Sequence, residues 1–516
     1  MTRQPAATHD PAASASPIRW DIVGYFLGLA VALHAPTDAD PDLWGHLRFG
    51  LDKIAAGKVI ATDSYSYLTG VDAERPIWIN HEWLSEVLFA AAWRAGGSPA
   101  VIALKLLVVL MIHALGYRIL LRAGFGAISA GLILVALAVP LGAGLRFARP
   151  QIFTFWLFFI VCDWIVSIET RGARPSRFGL PILFAIWANL HGGVLAGLAL
   201  ISVWLTTQAR RPQARRHAVI VLGCWLACLL NPYGWRLLEF LLREATGPRP
   251  EIADWAPLDA RDWRSWSYPI LVLAGAWTLV RPREVCWRLL IVFAMIAMAP
   301  LAAVRHLPLF ALATLAIASP YASGLTRNFR AACRSRFGIV SRLEQSWGWS
   351  LCGLMLLMLV LGREGGRIPY DRPGDAPMPA AAVHALKRSG MSGGLAIHFD
   401  WGEYAIWRLA SSNIRVSIDG RRETVYSRSI YQENLDWVRG VGVWDRLLQR
   451  PETRAALVSK AFPVYGLMRC RSDWVLAFED EACAIFARSD SWELRVIRDP
   501  PKTTPGSVLV DDGAFP

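Results

Sequence analysis

The sequence predicts a mainly α-helical, polytopic membrane bundle with a soluble α/β domain at its C-terminal end, and three observations predict it. Hydrophobic residues make up 54% of the 516, above the roughly 45–50% usual for a soluble globular chain. Apolar runs recur up to residue 362, separated by short loops rich in arginine. Beyond that point the apolar runs stop, and short strand-like stretches alternate with helical ones.

The polar start "MTRQPAATHDPAASASPIRW" reads as a disordered cytoplasmic tail over 1–19. It leads into an apolar stretch without a small-residue cleavage site, so 20–36 is expected as a retained first span. Further apolar runs fall near 98–120, 125–145, 151–168, 179–190, 193–206, 217–230, 268–281, 287–304, 307–323 and 347–362. Several are shorter than the roughly 20 residues that cross a bilayer, as tilted or cavity-lining helices can be. The net charge of +13 invites a nucleic-acid reading. Its distribution excludes one, because the arginines cluster in "ETRGARPSR" (169–177), "QARRPQARRHA" (208–218), "RPREVCWR" (281–288) and "TRNFRAACRSRFGIVSR" (326–342). That is the positive-inside pattern of a multi-pass membrane protein. Placing these loops and the N-terminus in the cytoplasm gives about eleven spans and an extracytoplasmic C-terminus. Arginine clusters at both ends of 178–207 demand the same side, so this segment is expected to be a hairpin with its tip at "NLHGG" (189–193), where glycine permits reversal.

The bundle is thus expected over 20–362, with a first outer loop at 37–97, followed by a Gly/Pro-rich linker at 363–380. An extracytoplasmic α/β domain should occupy 381–500, with a disordered tail over 501–516. Within the domain "GLAIHF", "IRVSID", "WVLAF" and "CAIFAR" read as strands; "DAPMPAAAVHALKRS", "GEYAIWRL" and "PETRAALVSKAF" read as helices. Cys470 and Cys483 are close enough in sequence for a disulfide to be considered.

Under this topology the polar motifs of the bundle all fall on its outer side: "DADPDLWGHLR" (38–48), "NHEWLSE" (80–86), "RFARPQ" (146–151), "NLHGG", "NPYG" (231–234), "EIADWAP" (251–257) and "RHLP" (305–308). The basic loops hold nothing comparable. In the first loop, Asp40-Pro41 signals a helix start and Gly57 a stop. Asp42 and His46, four apart, share a face. Asp40 then explains itself as a cap and Asp42 as a partner of the helix dipole, but neither need accounts for His46. The second motif reads as an amphipathic helix capped by Asn80, with His81, Glu82 and Glu86 on its polar face.

These motifs resemble the GT-C superfamily of integral membrane glycosyltransferases, and more closely a bacterial group of that type. The group carries a "DPDxWWHL" first loop, an "HEWLSE" helix, "RPQ", "NxHGG" and "NPYG" motifs and a C-terminal "DWGEY…IDGR" segment. This chain has "LWGHL" where the group often has a second tryptophan. The resemblance spans nearly the whole chain and implies a polyprenyl-phosphate-linked sugar as donor. It places catalytic acid at Asp42 first and Asp40 second.

A sugar on a lipid phosphate has a good leaving group, so the chemistry requires a base for the acceptor hydroxyl and positive charge for the departing phosphate. Arg146, Arg149, Arg305 and His306 are the phosphate candidates, since a guanidinium binds phosphate bidentately. His46, His81, Glu82, Asn189 and His191 are expected in the substrate pocket, Asn189 also serving the turn. "NPYG" reads as a structural turn; Asp400, Glu403, Asp419, Arg421 and Arg422 read first as stabilising the C-terminal fold and second as recognising an acceptor glycan or protein. Expected partners are the lipid-linked sugar, membrane lipid and an extracytoplasmic glycan, lipid or protein acceptor, with no nucleic acid. No cofactor is required; a divalent Mn or Mg ion, if used, would draw on Asp40, Asp42, His46, His81 and Glu82. The competing readings are an O-antigen ligase or polymerase-like transferase relying on Arg and His, a non-catalytic lipid or polysaccharide transporter, and an inactive relative. The transporter reading lacks the repeated halves and mid-membrane charges such proteins show.

Overall fold

The computed structural model describes residues 19–69, 78–174, 176–244, 249, 251–281, 286–336, 348–364, 366–369, 378–501 and 514–515. The N-terminal tail up to residue 18 lies outside the described residues. So do parts of the basic loops at 281–288 and 326–342, and half of the linker.

The chain is mainly helical with a C-terminal α/β region. After α1 (Trp20–Leu33), the first outer loop forms α2 (Leu43–Ala56), which ends on the left-handed Gly57. α3 (Trp83–Arg122) is a helix of two parts. Gly96 and Gly97 leave helical geometry, Gly97 with φ 61°, and Pro99 follows. A left-handed residue costs glycine nothing, so the break separates an amphipathic arm at 83–95 from an apolar helix at 98–122.

α4 (Ala127–Ala136) and α5 (Ala138–Leu145) meet at a 50° bend before α6 (Gln151–Arg171). α7 (Gly179–Leu190), α8 (Val194–Thr206) and α9 (Ala214–Ala227) run up, down and up. The contacts require this: Gly197 packs on Phe184 and Trp187, whereas residues 13 apart on one straight helix would lie about 20 Å from each other. Trp225 Nε1 donates to Ser202 Oγ at 3.2 Å, and Trp204 meets His217 with ring centres 4.8 Å apart. The segment 178–207 is therefore a hairpin turning at His191–Gly193. α10 (Trp235–Glu244), α11 (Ser267–Val280), α12 (Trp287–Ala302), α13 (Leu307–Arg336) and α14 (Gly348–Glu364) complete the bundle.

Among the described residues two helices, α3 and α6, are long and apolar enough to cross a membrane, or three where the bent α4–α5 pair counts as one span. This is fewer than the eleven spans expected. α1, α7, α8 and α12 are apolar but shorter, at 10–17 residues, because the reversal at His191–Gly193 and the loop breaks cut the apolar runs into pieces below spanning length. The outer surfaces are nevertheless oily: Val219, Leu222 and Leu226 on α9 and Ile270, Leu273 and Trp277 on α11 are all more than half exposed. Contiguous apolar surface of this kind needs an apolar neighbour.

At one end of the bundle the basic loops at 208–218 and 281–288 converge on Glu169, at the end of α6. Its carboxylate accepts from Trp204 Nε1 at 2.9 Å, Gln208 Nε2 at 2.7 Å and Arg288 Nε at 2.7 Å, with Arg211 at 3.4 Å. Arg122 and Arg171 share Asp163 nearby. The hairpin tip and the acidic motifs lie at the other end.

The C-terminal region is a five-stranded mixed sheet in the order β3–β2–β4–β6–β5, built from β2 (Gly393–Ala396), β3 (Ile414–Val416), β4 (Thr453–Ser459), β5 (Trp474–Glu479) and β6 (Cys483–Arg488). β2 is parallel to both neighbours, and β6 antiparallel to both of its own. α15 (Ala380–Ser389), α16 (Phe399–Arg408) and α17 (Arg428–Arg439) pack around it. β4 overturns the expected helix at "PETRAALVSKAF". Its alanines and leucine favour a helix in isolation, but the strand is the middle of the sheet and almost entirely buried, where packing on both faces outweighs local propensity. Cys470 and Cys483 are both free, the first exposed and the second buried, so the disulfide does not form. In the expected tail, β7 (Ala514–Phe515) pairs with β1 (Ile368–Pro369).

The first outer loop extends the sheet at its β3 edge. Val416 N donates to Tyr65 O and Tyr67 N to Val416 O, both at 3.1 Å. Tyr67 and Thr453 hydroxyls meet at 2.8 Å. These bonds fix the α/β region over α2.

Candidate active site between the bundle and the sheet

A cavity of about 380 Å³ lies where α2, the arm of α3, the α7–α8 tip and the loops before α11 and α13 face the C-terminal region. Asp42, His46, His81, Glu82, His191, Arg305 and His306 line it, together with Glu403 and the 420–424 loop.

The two first-loop acids divide the work. Asp40, 3% exposed, accepts from Leu43 N at 3.0 Å and pairs with Arg149. The helix begins at Leu43, not at Pro41, and Asp40 caps it from three residues upstream. Asp42 makes no capping bond. Its side chain keeps about 40% of its surface open to the cavity, with Arg149 Nη2 4.0 Å away. Burial raises its carboxyl to about 6, opposed by His46 and reinforced by Glu82.

Glu82 is the centre of an imidazole cluster. His191 Nε2 lies 3.3 Å from Oε1, His81 Nε2 3.4 Å from Oε1, and His46 Nε2 4.0 Å from Oε2. Burial works to raise Glu82, but His81, then His191 and His46, hold it well below the usual carboxylate range. The tautomer of His191 is fixed. Gly193 N–H donates to its Nδ1 at 2.9 Å, with Thr154 Oγ1 2.8 Å from the same nitrogen, so the ring proton sits on Nε2, facing Glu82. Burial lowers His191 to about 3, which keeps it neutral. His46 goes the other way: burial lowers it, yet Glu86, Glu82 and Asp42 together leave it raised.

Other expected residues are committed elsewhere. Asn189 accepts from Trp83 Nε1 at 2.8 Å and donates to Ala185 O and Leu230 O at 2.8 and 2.9 Å; it staples the hairpin tip to α3 and does not line the cavity. Glu86 is held by Lys53 at 2.6 Å and Asn80 at 2.7 Å. Asn231 accepts from Tyr233 N and donates to Gly234 O, so "NPYG" is a turn.

The four phosphate candidates also separate. Arg146 pairs with Asp38, outside the cavity lining, and Arg149 with Asp40 and Asp254. Arg305 instead stacks on Trp255, 4.7 Å from the ring centre, and faces the cavity beside His306. No hydrogen bond or ion pair occupies its guanidinium among the described residues.

Sequence reading assigned the C-terminal acids and arginines to fold stability. That describes Arg421, which is bidentate to Asp419 at 2.8 and 2.7 Å, reaches Asp63 at 2.7 Å, and stacks against Phe49 and Trp78. It does not describe Glu403 and Arg422, which line the cavity. Arg422 is 7% exposed and reaches Glu251 and Tyr431, while its Nε and Nη1 have no partner. Among the described residues it is the one non-glycine residue with positive φ, at 43°, a conformation that strains a side-chain-bearing residue. Nothing local in "DGRRET" signals that the loop reaches a site formed by residues nearly 400 positions earlier.

The three imidazoles are turned to the Glu82 carboxylate, and Asp40 is spent on Arg149 and Leu43. Among the described residues no three such ligands are arranged to hold a metal.

No family model matches the chain, and no curated protein is similar to it. Among solved structures it is similar to the apo form of the oligosaccharyltransferase of Archaeoglobus fulgidus, with 10% identity and a TM-score of 0.47, covering 86% of this chain and 69% of that one.

Proposed function

We propose that the chain is a membrane glycosyltransferase that moves a sugar from a polyprenyl-phosphate donor to a hydroxyl of a glycan, lipid or protein acceptor. The observation that carries this reading is that one cavity presents an open carboxylate, Asp42, together with an unspent guanidinium, Arg305. Asp42 takes the acceptor's proton as its oxygen bonds to the anomeric carbon. The anomeric carbon–phosphate oxygen bond breaks, and the lipid phosphate leaves against Arg305 and the free N–H groups of Arg422. A base whose carboxyl is raised to about 6 binds a proton more tightly than an exposed aspartate and remains ionised at neutral pH. Glu82 and its imidazoles fix the floor of the site.

The proposed orientation puts the Glu169 end in the cytoplasm and the cavity with the α/β region outside, in a bacterial inner membrane. It is supported by the separation of the basic loops from the cavity along the bundle. Single cysteines at Arg211 and Ser412 should label from opposite faces, Ser412 from outside.

Asp42→Asn tests the chemistry. Transfer to the acceptor should be lost while the lipid-linked donor still binds. Retained turnover would favour the ligase-like reading that dispenses with an acid. Glycolipids and glycoproteins from a deletion strain, compared by mass spectrometry, identify the sugar and acceptor.

A further inference from the structure

α16 brings a second carboxyl, Glu403, to Asp42. Gly45 N, in the first turn of α2, donates to Glu403 Oε2 at 3.1 Å. The other oxygen, Oε1, faces the Cα of Gly420, and so does Asp42 Oδ1. A methyl group built on Gly420 would sit 3.0 Å from the first and 2.5 Å from the second.

The approach is possible because three segments omit a side chain at the same place. A methyl on Gly45 would overlap the Glu403 carboxylate, one on Gly402 would strike Ile418 O and Asp419, and one on Gly420 would strike both acids. Fold stability does not call for this. Glu403 is 3% exposed, and a carboxyl buried beside another acid costs free energy unless it is paired with a cation or keeps its proton.

We propose that Glu403 is a positioning residue for Asp42: its carboxyl keeps a proton on Oε1, shares it with Asp42 Oδ1, and so holds the base ionised and aimed into the cavity. A buried Glu403 carboxyl resists ionising beside the ionised Asp42. Oε2 is already an acceptor for Gly45, which leaves Oε1 for the proton. Burial, then the charges of Asp42 and Asp419, push Glu403 well above the usual carboxylate range. Cations face the pair as well: His46 from α2, Arg149 from the loop before α6, and Arg421 and Arg422 from the C-terminal loop. Two of them, Arg149 and Arg421, are already paired with Asp40 and Asp419. The remaining anions around the pair are Glu82, Glu86 and Asp400. They add to the charge that a proton on Glu403 relieves.

The role of Asp42 as base rests on the transferase reading; the shared proton does not. The test therefore has two arms, both on the full-length protein in lipid nanodiscs. In the first, infrared spectra at pH 7 should show a protonated carboxyl band that Glu403→Gln removes and Asp42→Asn shifts. Absence of such a band in the wild type overturns the proposal whether or not the protein is active. In the second, the pH dependence of transfer is measured. Glu403→Ala removes the donor to an ionised acceptor, worth about 10- to 100-fold in the proton equilibrium. Its acid limb should therefore move up by about one to two pH units. Glu403→Gln keeps an N–H donor and should leave the acid limb in place while erasing the alkaline limb. Variants that scale the rate without moving either limb would assign Glu403 to structure alone and defeat the proposal. A wild type inactive on every donor would sink the transferase reading and leave the infrared arm to decide the pair.

Discussion

Glu82 and Glu169 occupy opposite ends of the same bundle and are neutralised in opposite ways. Glu169 is 1% exposed at its side chain and is surrounded by Arg288, Arg211 and the N–H groups of Trp204 and Gln208. Those partners carry fixed charge or none, so the cluster is complete and bonds three loops together. Glu82 has imidazoles in place of guanidiniums, and a cavity on one side. His191 stays neutral while His46 is raised above the ordinary imidazole value, so the Glu82 end keeps a proton on His46 that can be redistributed. The two glutamates are thus told apart by the chemistry of what answers them.

The sharpest break in this comparison sets Asp42→Asn against Glu169→Gln. Loss of a general base lowers the rate by about 10²–10⁴-fold, so D42N should be effectively inactive in the transfer assay. It should also melt higher at neutral pH. The folded carboxyl is raised to about 6 from its ordinary value of 3.8, so its contribution favours the fold below the unfolded value and is lost as pH rises through about 6. Asparagine escapes that loss, and the gain in melting temperature should vanish near pH 3. E169Q should do the reverse. Breaking a buried charge cluster costs about 3–5 kcal/mol, seen as early thermal unfolding, with turnover per folded molecule unchanged. A D42N variant that unfolds, or an E169Q variant that folds normally but loses transfer, would invert the assignment.

The second contrast is between arginines on the same side of the cavity. Arg305 is unspent and Arg149 is paired twice. Arg305→Ala should weaken donor binding by about 10- to 100-fold, the worth of hydrogen bonds to a charged group, with the melting curve little moved. Arg149→Ala strands Asp40 and Asp254 and should act first on stability. Equal effects of the two on donor affinity would erase the distinction.

Much of this architecture was legible because its signals are local or periodic. The Gly57 stop, the reversal at Gly192-Gly193 and the segregation of arginines from acids follow from residue type and spacing alone. The number of helices of spanning length did not, since hydropathy reports apolar runs and not where glycine and bends divide them. β4 failed for a related reason: "TRAALVS" becomes a strand only because β2 and β6 flank it. At the site, Asp42, Glu82 and His191 were marked by charges crowded beside apolar runs. Glu403 was legible only as a letter in "DWGEY". Its importance depends on Gly45 making room for it from 358 positions away, and a single sequence carries no trace of such a distance.

The smallest effects come from neighbours on the hairpin tip, and they refine the comparison most closely. Asn189 and His191 are two residues apart, yet Asn189 spends all three of its bonds on structure, whereas His191 turns its proton toward Glu82 across the cavity. Asn189→Ala should therefore cost about 1–3 kcal/mol of stability by stranding Trp83 Nε1 and Leu230 O, without changing KM or the pH profile. His191→Ala should lower turnover only severalfold, because its contact with Glu82 is long, at 3.3 Å. It should still move the acid limb of the pH profile upward. With one donor gone, more of the Glu82 charge reaches Asp42 and holds its proton on. An acid limb that stays put in His191→Ala would mean that the imidazole cluster is as inert as the arginines around Glu169.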